Sequence, residues 1–197
     1  MHIQLFEGER ILLAPIDPEK DAETISKWTH DPEYLRLTDA EPARPLSPVH
    51  VKKKLEESAK KAEKDRNRFD FGVRLRADDR LIGLASIRWI QWTHGSGVIR
   101  LSIGRPEDRG QGYGSEALKM LLRYAFDELN LHRVGADSFE YNAGALRWLE
   151  RHGFAVEVRR RQAVNRDGRR WDVIMLGLLR DEIVMGALRD DWLRANR

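Results

Sequence analysis

The chain has 197 residues, a length that suits one domain with a short extension. Its 35 Lys and Arg against 32 Asp and Glu leave a net charge of +3, too small by itself to argue for a nucleic-acid partner, while 41% hydrophobic residues can furnish a packed core. With no cysteine at all, disulfides, thiolate zinc sites and a thiol nucleophile are excluded.

The opening MHIQLFEGERILL has acidic residues early and no long apolar core, and no window reaches bilayer-spanning length. The chain is therefore expected to be soluble and cytoplasmic. Arg10 to Ile16 reads as a first strand, stopped by Pro15 and Asp17. Asp17 and Pro18 open a helix whose Ala22, Ile25 and Trp28 share one face, and Asp31-Pro32 reads as its end. Glu41 to Pro48 holds Pro42, Pro45 and Pro48 and must be irregular. Ser47 caps a second helix with the apolar stripe Val51, Leu55, Ser58, Ala59 and Ala62, and its Lys- and Glu-rich faces read as solvated.

Three strands joined as antiparallel hairpins follow: Arg68 to Arg76, Leu81 to Trp92 and Val98 to Gly104. From Gly110 the pattern turns helical, with Ala117, Leu118, Leu121, Leu122, Ala125, Phe126 and Leu129 spaced by three and four. Arg133 to Phe139 is a short strand. Asn142 caps a helix through His152, closed by Gly153. Val156 to Val164 and Trp171 to Leu179 form a hairpin about Asp167-Gly168, and its many arginines read as a charged edge that blocks strand pairing. Asp181 to Arg194 is a final amphipathic helix. Its Ile183, Val184, Leu188, Trp192 and Leu193 are exposed for a homodimer contact, or pack on the chain's own domain. The element order implies an α+β fold around a mixed sheet.

The segment from Ile103 to Leu118 carries the chemistry. A strand ends, and Gly110, Gly112 and Gly114 lead into a helix. Alternating glycines let main chain approach a ligand, and their amides at a helix N-terminus make a cup for an anion, with Arg109 at its rim. The dinucleotide-binding fingerprint fits poorly, because antiparallel strands precede the loop. The Lys-Ser or Lys-Thr of a nucleotide phosphate loop is absent.

This stretch resembles the Gln/Arg-x-x-Gly-x-Gly/Ala signature of the GNAT superfamily of acetyl-CoA-dependent acetyltransferases, with Arg109, Gly112 and Gly114 in its specified positions. Glu140 to Phe154 resembles the family's downstream segment, in which an Asn opens a helix ending in Glu-Lys-x-Gly-Phe. Met175 to Glu182 looks like the end of the ribosomal-protein N-terminal acetyltransferase (RimJ/RimL-like) branch. The resemblance implies a mostly antiparallel twisted sheet with helices on both faces, a GNAT domain over residues 1–182 and a helical extension over 183–197. It implies pantetheine between the strands Val98 to Gly104 and Arg133 to Phe139, paired near Leu101 and Ile103. The pyrophosphate would rest on amides of Arg109, Gly110, Gln111, Gly112, Tyr113, Gly114 and Ser115, and Asn142 would hold the pantetheine arm or a water besides capping its helix.

The implied reaction is direct acetyl transfer from acetyl-CoA to a primary amine, a protein N-terminus or a small molecule, with no metal and no membrane. The family's usual proton carriers have no counterpart. No Asp or Glu lies from Leu81 through Pro106, and the position of the family's Tyr acid is Leu149 or Trp148. Glu140 is the first choice of base, followed by His94, Asp137 or a water chain. Trp28 and Trp89 are expected to wall the acceptor site by analogy with relatives. The rivals are a non-catalytic acyl-CoA-binding module on the same fold and a nucleic-acid binder using the arginine hairpin.

Overall fold

The computed structural model describes residues 4–185. Asp17 accepts hydrogen bonds from the amides of Glu19 and Lys20, which fixes the start of α1 (Pro18–Trp28) after β1 (Ile11–Ala14). The Asp31-Pro32 pair does two things. It follows the end of α1, and Asp31 accepts from Glu33 N to begin a further short helix, α2 (Pro32–Thr38), which the sequence reading took for a turn alone. Ser47 caps α3 (Pro48–Asp65) through His50 N.

Seven strands form one sheet in the order β1-β2-β3-β4-β5-β7-β6. The others are β2 (Phe69–Leu75), β3 (Leu81–Gln91), β4 (Ser96–Ile103), β5 (Arg133–Phe139), β6 (Ala155–Arg166) and β7 (Arg169–Leu179). All neighbours are antiparallel except β4 and β5. The sheet divides two cores. One face packs Ile87, Ile99 and Val134 against α4 (Tyr113–Arg123) and the π-helical turn Tyr124–Glu128 that continues it. The other receives α1 and α3 through Ala22, Ile25, Trp28, Val51 and Leu81.

Asn142 accepts from Ala145 N and so caps α5 (Ala143–Arg151), as its position before the apolar-periodic run implied. The chain ends its described part in α6 (Arg180–Met185). Of the two alternatives for the last apolar stripe, Ile183 takes the second: it is 8% exposed and belongs to the larger core, because α6 folds back beside β7. The Leu188, Trp192 and Leu193 expected on the same stripe, and the Val184 side chain, lie outside the described residues.

The arginine hairpin is more than a charged edge. Arg166 donates to the carbonyls of Asp39, Ala40 and Glu41 at 3.0–3.2 Å, and Asp167 accepts from Arg36. Tyr141 Oη donates to Arg36 O at 2.8 Å. These contacts tie α2 and the following loop to the β6–β7 hairpin and the start of α5.

Candidate active site

The parallel pairing of β4 with β5 lasts three residues: Ser96 with Arg133, Gly97 with Val134, Val98 with Gly135. Beyond it the strands no longer pair. Residues 99–102 and 136–139 instead border a cavity of about 860 Å³. Gly104 N donates to Ile82 O at 2.8 Å, so even-numbered main-chain groups of β4 face β3. The odd ones, those of Ile99, Leu101 and Ile103, face the gap. An extended amide-bearing chain would find main-chain partners there, chiefly at Leu101 and at the Ile103 amide, since Ile103 O accepts from Arg109 Nε.

At the C-terminal end of the gap lies the glycine turn. Gly110 and Gly112 have φ of 72° and 88°, in the left-handed region, and Gly112 is the residue before α4. The amides of residues 110–114 donate to no acceptor among the described residues, while Ser115 and Glu116 both donate to Gly112 O. A row of unclaimed amides at a helix N-terminus fits an anionic diphosphate.

Two side chains build the turn. Arg109, expected at the rim, is turned inward: its Nη2 donates to Gly104 O at 2.6 Å and Asp31 at 3.1 Å, and its Nε to Ile103 O at 3.2 Å. Arg10, which the sequence reading passed over, supplies the nearby cation. Its Nη1 donates to Gln111 O, its backbone N and Nε to Glu116, and its guanidinium lies 5.0 Å from the Tyr113 ring centroid. A Cβ at Gly112 would sit 2.8 Å from Arg10 Nη2. Nothing local in the sequence signals this, because Arg10 and Glu116 are 106 residues apart.

The sheet face away from α4 is polar where it lines the cavity. Register places Asp70 opposite Ser86 and Ser86 opposite Arg100, with Arg88, Ser102 and Asp137 on the same side. Asp70 is held by Arg68 and by Arg88 Nη2, the latter at 3.1 Å. Burial pushes the Arg88 guanidinium below its ordinary value, and the Asp70 charge opposes this. Arg100 Nη2 stands 3.6 Å from Asp137. Tyr34 Oη lies 3.1 Å from Ser102 Oγ, and burial pushes the phenol up, so it stays protonated at neutral pH. The alternation of Ser86 and Arg88 with Ala85 and Ile87 was the readable signal for this face.

Other expected residues lie elsewhere. Glu140 accepts from Arg159 Nη1 and from Asp172 N, each at 3.2 Å, and is not among the residues lining the cavity. Its carboxylate is committed to the β6–β7 hairpin. Trp28 is 3% exposed and packs against Gly104 and Tyr34 in the smaller core, away from any acceptor wall. Trp89 is 57% exposed, outside the cavity lining, with Arg100 5.2 Å from its ring centroid. Trp148 does line the cavity and donates to Ser115 Oγ at 3.0 Å. Asn142 lines it too, and besides capping α5 donates to Leu37 O at 3.4 Å.

Comparison with known proteins decides the family. A family model described as an acetyltransferase (GNAT) domain matches residues 10–155. The chain belongs to the GNAT acetyltransferase family. Among curated relatives, a probable N-acetyltransferase YjcK of Bacillus subtilis (strain 168) is 28% identical over 166 residues, covering 83% of this chain and 91% of that one. Among solved structures, a spermidine N-acetyltransferase from Vibrio cholerae in complex with CoA and spermine is 24% identical with a TM-score of 0.76, over 90% of this chain and 99% of that one. A putative ribosomal-protein-serine acetyltransferase from Vibrio cholerae is 21% identical with a TM-score of 0.70, over 88% and 96%. This GNAT protein is an acetyl-CoA-dependent N-acetyltransferase, and the reading as a non-catalytic module is not favoured. No described helix is long and apolar enough to cross a membrane. No cluster of three metal-ligating side chains occurs among the described residues.

Proposed function

We propose that the chain transfers acetyl from acetyl-CoA directly to a primary amine, with the thioester in the β4–β5 gap and the amine on the polar face of the sheet. The observation that carries this is the conjunction of two features: a parallel pair that stops after three residues, and a turn whose amides 110–114 are unclaimed. The diphosphate rests on those amides, with Arg10 close by and Arg109 bracing the turn from behind. The pantetheine amides pair with Leu101 and Ile103, and Trp148 and Asn142 close the arm's other side.

The incoming amine must lose a proton before or as it attacks. With Glu140 held by Arg159, Asp137 is the carboxylate that stands at the gap itself. It takes the amine proton directly or through a water. The Leu101 amide, aimed into the gap, donates to the oxyanion of the tetrahedral intermediate. Tyr34, protonated at neutral pH as phenols are, sends a proton through Ser102, 3.1 Å from its hydroxyl, toward the departing thiolate. No acyl-enzyme on cysteine can form, since the chain has none.

The neighbours offer two acceptor types, a polyamine and a ribosomal protein, and likeness of fold does not choose between them. The RimJ/RimL-like ending Met175 to Glu182 supports a peptide amine only weakly. Thiol release from acetyl-CoA, measured across a panel of primary amines, tests the reading. Amine-dependent release is expected. CoA binding without release from any amine would refute it.

A further inference from the structure

The charges around the acceptor side of the cavity select among amines. Its lining holds four arginines, Arg68, Arg88, Arg100 and Arg160, against three aspartates, Asp39, Asp70 and Asp137. The aspartates are spoken for. Asp70 is shared by Arg68 and Arg88, Asp137 faces Arg100, and Asp39 accepts the amide of Glu41 at 3.1 Å. The arginines are not all spoken for. The Arg160 side chain, at the exposed edge of the cavity lining, has no ion pair or hydrogen bond among the described residues.

A polycation binds where carboxylates outnumber cations and remain free to receive ammonium groups. This lining has the opposite balance. Guanidinium groups are also the side chains best shaped to receive a carboxylate.

We infer that the acceptor is a primary amine that itself carries a carboxylate, received by Arg160 at the β6 edge of the sheet. This deepens the acetyl-transfer reading above and rests on it. Arg160 reaches the cavity because β6 breaks register with β7 between Arg160 and Val164, where the strand bulges. The carboxylate lies toward Arg160, and the reacting amine lies at the β4–β5 gap beside Asp137, to which the acetyl-transfer reading gives its proton. A polyamine would bring a second ammonium against Arg160.

The test compares kcat/KM for the common amino acids, each against its own carboxamide, with spermidine and phosphoethanolamine alongside. The carboxamide keeps the amine and removes the charge. The best amino acid is expected to exceed its carboxamide by about tenfold or more, the size that one charge-assisted contact carries. In Arg160→Gln that ratio should fall toward one, through a rise in acceptor KM, and in Arg160→Glu it should invert. Equal rates for acid and amide, a preference for spermidine, or an acid preference unchanged in Arg160→Gln would each overturn the inference while leaving acetyl transfer intact. Phosphoethanolamine outrunning every carboxylate would overturn the choice of anion. Silence across the whole panel would overturn acetyl transfer, and this inference with it.

Discussion

Arg100 and Asp137 face each other at 3.6 Å across the gap where β4 and β5 have ceased to pair. Each lies two residues beyond the last matched pair, Val98 and Gly135, so both side chains project from the same face of the sheet. The pair therefore marks the place where a carboxylate and the unpaired main chain of β4 come together. If Asp137 receives the amine proton, Asp137→Asn should lower kcat by about 10²–10⁴-fold, the range for a general base, with acetyl-CoA affinity unchanged. A loss below about threefold would assign the proton to a water chain instead. Glu140→Gln, by contrast, should affect folding more than turnover, because its partners are Arg159 and Asp172 N.

Gly112 precedes α4 with φ of 88°, and a Cβ there would crowd Arg10 Nη2 at 2.8 Å. Gly112→Ala strains the left-handed conformation by about 1–2 kcal/mol and shifts the amides that would hold the diphosphate. Titration calorimetry with CoA should show affinity reduced by roughly tenfold or more. An unchanged affinity in the folded variant would remove the diphosphate from this turn.

Gly104 gives way to Trp28: a Cβ at 104 would fall inside the indole's van der Waals envelope. Trp28 is 3% exposed and has little room to retreat. Gly104→Ala should cost about 1–3 kcal/mol by overpacking, visible as a lowered Tm. Gly104→Ala combined with Trp28→Phe should recover part of that loss, because the two sites share one space.

Which of these relationships the sequence could reveal follows from their range. The bounds of β5, the cap at Asn142 and the apolar face of α4 depend on neighbours a few residues apart, and all were legible. Helix α2 was not, because an Asp-Pro pair serves equally as a turn and as a helix start, and only packing of Tyr34 against Trp28 tells them apart. The three glycines announced an anion cup, but the roles of Arg10 and Arg109 depend on partners as distant as Glu116 and Asp31. Trp28 was misplaced since a buried and a substrate-facing tryptophan look alike in sequence. The partners of Glu140 were hidden for a similar reason: Arg159 and Asp172 lie on another hairpin. For Ile183 the sequence left exposure and self-packing both open, because the return of α6 onto the core is a tertiary fact.

The pyrophosphate turn is also anchored from outside. Asp108, just before it, receives two hydrogen bonds from Arg80 at 2.8 and 2.9 Å, joining the turn to the start of β3. Those hydrogen bonds, helped by the Arg80 and Arg105 charges and opposed by partial burial, hold the Asp108 carboxyl below its ordinary value. A carboxyl with a lowered value in the folded state stabilises folding above its unfolded value, and that contribution drains away as pH falls through the folded one. Asp108→Asn should therefore cost about 1–3 kcal/mol at neutral pH, as loss of a charge-assisted pair does. The Tm gap between the wild-type protein and the variant should shrink steadily as the solution is acidified through the carboxylate range. If the gap stayed constant with pH, Asp108 would be acting through packing rather than through its charge. CoA affinity at neutral pH should fall in the same variant, because the turn that Arg80 braces presents the amides.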